Sequence, residues 1–124
     1  MAAPLLISIV DDDASLREAL VRLVRSAGYE ARDFGSAEHF LACGAVETFA
    51  CVITDIQMPG LSGLELGRLL QQEIPRIPVI MITARAEPNL KDEAHASGAA
   101  CFLRKPFEPN ALIDCLERLI GLPA

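Results

Sequence analysis

The chain has 124 residues, 52% of them hydrophobic, which is about one domain's length and enough apolar side chain for a real core. A net charge of −6, with no cluster of Lys and Arg, excludes a surface built for phosphate backbones, so any nucleic-acid contact would come from another chain or another domain. The first apolar run, Leu5 to Val10, is far too short for a membrane helix and meets Asp11 with no basic segment before it, which points to a soluble, cytoplasmic protein.

That first run reads as a strand covered on both faces, because its hydrophobicity is nearly continuous. Asp11-Asp12-Asp13 follows at once. From Ala14 the apolar period becomes helical through Leu16, Leu20, Leu23, Val24 and Ala27, and Gly28 stands where a C-cap glycine belongs. Tyr29 to Phe34 is a weaker strand, and Ser36 caps a short helix expected to run to about Cys43. Phe49 to Thr54 is a third strand, ending at Asp55 before a Met58-Pro59-Gly60 turn. Ser62 then caps a helix whose Leu64, Leu69 and Leu70 are expected to face inward, ending before Pro75. Pro78 to Ile82 is another strand buried on two faces, and it delivers Thr83 to its end. Ala84 to Gly98 is the least clear helix, with Pro88 in its first turn and a thin apolar stripe. Ala99 to Leu103 is the last strand, closed by Arg104-Lys105-Pro106-Phe107, and Pro109 opens a final helix striped by Leu112, Leu116, Leu119 and Ile120 and stopped by Gly121.

Strand and helix alternate five times, which calls for an α/β fold with a parallel sheet and helices on both faces. Ligands of such sheets bind beyond the carboxyl ends of the strands. Asp11 and Asp12, Asp55, Thr83 and Lys105 would therefore share one edge of the molecule. Each has an ordinary reading of its own: helix capping for the aspartates, above all Asp13, loop initiation for Asp55, and an exposed loop lysine for Lys105. Together they form a site. Three gathered carboxylates repel unless a cation sits among them, and Mg²⁺, which takes one or two carboxylates plus phosphate oxygens, suits them better than Ca²⁺. A carboxylate is also a nucleophile toward phosphorus when the charge of the transferring group is neutralised, here by Mg²⁺ and Lys105. Cys43, Cys51, Cys101 and Cys115 are scattered in apolar surroundings with no Cys-x-x-Cys pair, and read as reduced core residues.

Val10-Asp11-Asp12, Thr54-Asp55 with Met58-Pro59-Gly60, Thr83-Ala84 and Lys105-Pro106-Phe107 resemble the receiver domain of two-component response regulators, and Phe102 to Phe107 looks most like the FixJ-type branch. The resemblance spans essentially all of residues 1–124 as one receiver domain. It implies a flavodoxin-like sheet of five strands in the order 2-1-3-4-5. It implies further that Asp55 accepts a phosphoryl group from a sensor histidine kinase or phosphotransfer protein, and that Asp11, Asp12, Asp55 and the Gln57 backbone carbonyl hold Mg²⁺. Thr83 and Lys105 would bind the phosphoryl group, Phe102 would act with Thr83 as the switch pair, and Lys105-Pro106 would be cis. Gln57 and Arg85 take positions that tune phosphate lifetime. Such a domain turns over no external substrate. Its fourth-helix, fifth-strand, fifth-helix face would act on a downstream protein or a missing DNA-binding domain, or form a homodimer.

A haloacid dehalogenase-like phosphatase also combines Asp, Thr or Ser, Lys and Mg²⁺, but needs a second acid where Gln57 stands. A flavodoxin would meet repulsion between its flavin phosphate and Asp11-Asp12-Asp13. A constitutive binding module with a degenerate site is the remaining alternative. The sequence ends at Leu122-Pro123-Ala124, just past the fifth helix, and the expectation is that it carries no effector domain, either standing alone or heading a longer regulator.

Overall fold

A computed structural model describes residues 5–123; Ala124, the last residue of the closing stretch, lies outside them. The elements run β1 (Leu6–Val10), α1 (Ala14–Ser26), β2 (Glu30–Phe34), α2 (Ala37–Leu41), β3 (Cys51–Asp55), α3 (Gly63–Glu73), β4 (Val79–Thr83), α4 (Leu90–Ala96), β5 (Ala99–Arg104) and α5 (Pro109–Ile120). The strands form one parallel sheet in the order β2-β1-β3-β4-β5, so the doubly wound α/β architecture and its expected order both hold.

Two apolar layers hold the sheet. On one face Leu20, Val21 and Val24 of α1 and Leu112, Cys115 and Leu116 of α5 cover Ile7, Ile9, Ile53, Ile80 and Ile82. On the other, α2, α3 and α4 bury Phe40, Leu66, Leu70, Leu90 and Ala94 against Val10, Val52, Val79 and Met81. Every residue of β3 and β4 is buried, and each fully buried aliphatic side chain contributes about 1.5–3 kcal/mol. Phe34, Phe40 and Phe49 pack edge to face at centroid distances of 5.3–6.0 Å and close the α2 end of this layer. All four cysteines are free; burial favours the neutral thiol at Cys51 and pushes Cys115 up to about 11.

The helix ends follow their sequence signals. Asp13 caps α1, its Oδ1 accepting from the amides of Ser15 (3.0 Å) and Leu16 (3.2 Å), and Gly28 follows the helix at φ +100°. Ser62 and Glu65 make a reciprocal capping box at the start of α3. A 3₁₀ turn at Val46–Thr48, unforeseen in the sequence, shortens the expected third strand, so that β3 starts at Cys51.

Two expectations need correction. The inward face of α3 is Gly63, Leu66, Gly67 and Leu70, whereas Leu64 and Leu69 are only half-buried. The glycines decide this face: a Cβ at Gly67 would lie 2.8 Å from the Ser97 carbonyl oxygen, and one at Gly63 would lie 2.9 Å from the Ile56 Cα. The fourth helix is also shorter than residues 84–98. It begins only at Leu90, and Pro88 lies in the preceding loop. Pro88 disfavours helical backbone at Glu87, Asn89 makes no side-chain cap, and only Leu90 and Ala94 are buried to anchor the helix.

Candidate functional site

The carboxyl ends of β1, β3, β4 and β5 deliver Asp11, Asp55, Thr83 and Lys105 to one edge of the sheet, as the strand order demands. Asp11 is fully buried. Its Oδ1 accepts the Asp13 amide at 2.9 Å, while its Oδ2 lies 3.6 Å from Lys105 Nζ. Asp55 is 8% exposed, with Oδ2 3.5 Å from the same ammonium. Lys105 thus bridges two carboxylates at ion-pair range, looser than the roughly 2.7–2.9 Å of a tight charge-assisted bond. The Lys105-Pro106 peptide is cis, as the resemblance implied.

Asp12 stays exposed, yet its carboxylate comes within 4.8 Å of those of Asp11 and Asp55. One ammonium against three carboxylates leaves an excess of negative charge. Two carboxylate oxygens, Asp11 Oδ2 and Asp55 Oδ1, are buried and make no hydrogen bond. A buried carboxylate oxygen without a hydrogen bond is costly, and a hard cation with oxygen preference fits this pocket. Burial is the largest influence on both carboxyls and raises Asp11 and Asp55 above the usual carboxylate range, against the lowering pull of Lys105. The aspartate triplet is therefore divided: Asp13 caps the helix, and Asp11 and Asp12 face the site.

Thr83 is fully buried but its hydroxyl is not on Asp55. It donates to Gln57 Oε1 at 2.7 Å and accepts from the Arg85 amide at 3.0 Å. Arg85 turns its guanidinium to Glu87, 3.5 Å away on the surface. Phe102 is half-buried against the α3–α4 layer, with the Arg104 guanidinium 5.5 Å from its ring centroid. The two histidines take no part: His39 is exposed on α2, and His95 Nδ1 lies 3.1 Å from the Ala99 carbonyl.

Three contributions were not read from the sequence. Arg17 reaches back from α1 to donate to the Asp11 carbonyl at 2.8 Å while pairing with Asp33, and so braces the backbone that carries Asp11. Gln57, expected to offer its backbone carbonyl and a lifetime-tuning position, also holds Thr83 through its side chain. Arg104 donates to the carbonyls of Arg85 (3.0 Å) and Glu87 (3.1 Å), pinning the β4–α4 loop. The only hint of Arg17 and Arg104 in the sequence was a lone arginine beside an acidic or loop segment.

The sequence profile of the response regulator receiver domain matches residues 7–117. The transcriptional regulatory protein FixJ of Azorhizobium caulinodans is 37% identical over 124 residues, covering 100% of this chain and 59% of FixJ. The response regulator protein FleR of Pseudomonas aeruginosa is 42% identical over 118 residues, covering 95% of this chain and 24% of FleR. The chain thus spans less than two thirds of the length of FixJ and about a quarter of FleR. Among solved structures, a putative response regulator from Chloroflexus aurantiacus J-10-fl superposes with a TM-score of 0.88 at 31% identity, covering 96% of this chain and 99% of that one. The BeF3-activated DrrB receiver domain gives 0.86 at 26% identity, covering 94% and 97%. With the sheet order, the acidic edge and these likenesses in agreement, the chain belongs to the response regulator receiver domain family of two-component systems.

Proposed function

We propose that this chain is the phosphoacceptor of a two-component phosphorelay, taking a phosphoryl group onto Asp55 from a sensor histidine kinase or phosphotransfer protein. The observation that carries the reading is that two buried carboxylate oxygens, Asp11 Oδ2 and Asp55 Oδ1, make no hydrogen bond, while a single ammonium, Lys105, stands at ion-pair range of both carboxylates. Asp11, Asp12, Asp55 and the Gln57 backbone carbonyl would hold Mg²⁺, whose chemistry is to neutralise the oxygens of the transferring group. A carboxylate oxygen of Asp55 attacks phosphorus as the bond to the donor breaks. Lys105, already on Oδ2, takes up the added charge.

The phosphoryl group brings about 1.5–2 negative charges and three acceptor oxygens. Lys105 and the Thr83 hydroxyl then bind it, and Phe102 moves into the space Thr83 leaves. Packed interfaces are bistable, so this shift remodels the α4-β5-α5 face toward a downstream protein, an output domain or a second copy. FixJ is a transcriptional regulatory protein, and this likeness favours an output in transcription through another domain. No turnover of external substrate is expected, because Gln57 occupies the place where a haloacid dehalogenase-like phosphatase carries its second acid. We place the domain in the cytoplasm; among the described residues no helix is long and apolar enough to cross a membrane.

Intact mass after incubation with a small phosphodonor, with and without Mg²⁺ and beside Asp55→Asn, tests the reading. The expected result is a Mg²⁺-dependent gain of one phosphoryl group that the variant lacks. No gain under conditions that label another receiver would overturn it in favour of a constitutive binding module.

A further inference from the structure

A threonine hydroxyl has one proton to give. In this structure Thr83 gives it to Gln57 Oε1 at 2.7 Å, and one of its lone pairs is taken by the Arg85 amide at 3.0 Å. Thr83 therefore has no donor left for a phosphoryl oxygen on Asp55 until the bond to Gln57 breaks. We infer that the Gln57 side chain is a positioning residue that restrains the unphosphorylated state by holding the Thr83 hydroxyl. The inference rests on the reading of Asp55 as phosphoacceptor and adds the group that opposes its switch.

The surroundings let the restraint be released and let its release travel. A cleft of about 530 Å³, lined among others by Gln57, Met58, Arg85, Leu90 and Glu93, adjoins the bond and gives the Gln57 side chain room to swing away. Breaking the bond also frees the oxygen that anchors the Arg85 amide. The carbonyl of the same residue is held by Arg104, which grips Glu87 as well and lies over the Phe102 ring. A string of contacts thus joins Gln57 to the aromatic on the α4-β5-α5 face through Thr83, Arg85 and Arg104. Among the described contacts the Arg85 guanidinium meets Glu87 instead of the acidic pocket, so the backbone of Arg85, and not its charge, links this loop to Thr83.

Gln57→Met keeps the length of the side chain and removes the acceptor. The net worth of one hydrogen bond translates into a population shift of about 3- to 10-fold toward the released state. Binding of beryllofluoride, the phosphoryl mimic of the BeF3-activated relative, is followed by amide NMR in Mg²⁺ for wild type, Gln57→Met, Thr83→Ala and the double variant. The expected result is an affinity about 3- to 10-fold higher in Gln57→Met, with no further change when Gln57→Met is added to Thr83→Ala. Equal gains in both backgrounds would show that Gln57 acts without Thr83 and would overturn the inference, as would no gain at all. In the protein without ligand, Gln57→Met should move the Thr83 and Arg85 resonances, and Gln57→Glu, which retains an acceptor oxygen at the same reach, should restore them. Resonances unmoved by Gln57→Met would also overturn it. Failure of wild type to bind beryllofluoride counts against the phosphoacceptor reading instead, and the ligand-free resonances decide the Gln57 restraint separately.

Discussion

Gly63→Ala probes how tightly the α3 helix is set against the strand that carries Asp55. The added Cβ would lie 2.9 Å from both the Asp55 carbonyl carbon and the Ile56 Cα, and closer still to the Asp55 carbonyl oxygen. Carbon atoms pack best at about 3.5–4.0 Å, so α3 and the end of β3 must separate by on the order of 1 Å. The obstructing atoms are backbone, and no side chain can rotate away to make space. Overpacking of this kind costs about 1–3 kcal/mol, against at most about 1 kcal/mol gained from the helix preference of alanine. The net is a loss, expected at about 1–2 kcal/mol by urea denaturation. The second consequence is chemical: if the separation displaces Asp55 by a similar distance, phosphoryl labelling slows about 100-fold in protein that is still folded. Labelling is followed by intact mass under conditions where circular dichroism shows the variant native. Unchanged stability would refute the steric argument, and a stability loss with wild-type labelling would show that α3 alone moves, severing the helix from the site.

Two further outcomes follow from titration and from a capping contact. Burial raises the folded-state values of Asp55 and Asp11, so their contribution to stability is full below the usual carboxylate range and is lost as pH rises through the raised values. Asp55→Asn is therefore expected to be more stable than wild type at pH 7 without Mg²⁺ and no different below about pH 3.5; a stability gap independent of pH refutes the assignment, and added Mg²⁺ should narrow the gap at pH 7 by stabilising wild type. The Tyr29 hydroxyl donates to the Gly121 carbonyl at 2.9 Å and ties the end of α5 to the start of β2; Tyr29→Phe should cost about 1 kcal/mol, lowering Tm by about 3–5 °C, and an unchanged melting curve would show that the contact carries no stability.

The sheet was legible in the sequence because strands buried on both faces leave near-continuous apolar runs, and Cys51–Asp55 and Val79–Thr83 are buried at every position. The acidic edge was legible for the same reason. A polar residue that ends such a run has one place to go, and the parallel order gathers those places. The inner face of α3 was not legible, since leucines at 61, 64, 66, 69 and 70 allow more than one helical stripe and the choice falls to two glycines that admit close approach. The start of α4 was misread because Pro88 was placed in the helix's first turn, whereas it disfavours helical backbone at Glu87, and the carbonyls of Arg85 and Glu87 are taken by Arg104 reaching over from β5. The Gln57–Thr83 bond escaped notice for a similar reason: it joins residues 26 positions apart through side-chain geometry that no motif records.

Lys105 meets Asp55 across fifty positions of chain, and Thr83 arrives on a strand between them, while Asp11 comes from the first strand of all. No fragment that lacks either the first strand or the last can assemble the pocket. During synthesis the aspartates leave the ribosome long before their ammonium, and they acquire it only when the last strand has zipped onto the sheet edge. On the phosphoacceptor reading, competence to be charged by a donor is then a certificate of completed folding: immature or damaged copies drop out of the signalling population without any separate surveillance, and the pool that answers the donor consists of finished molecules.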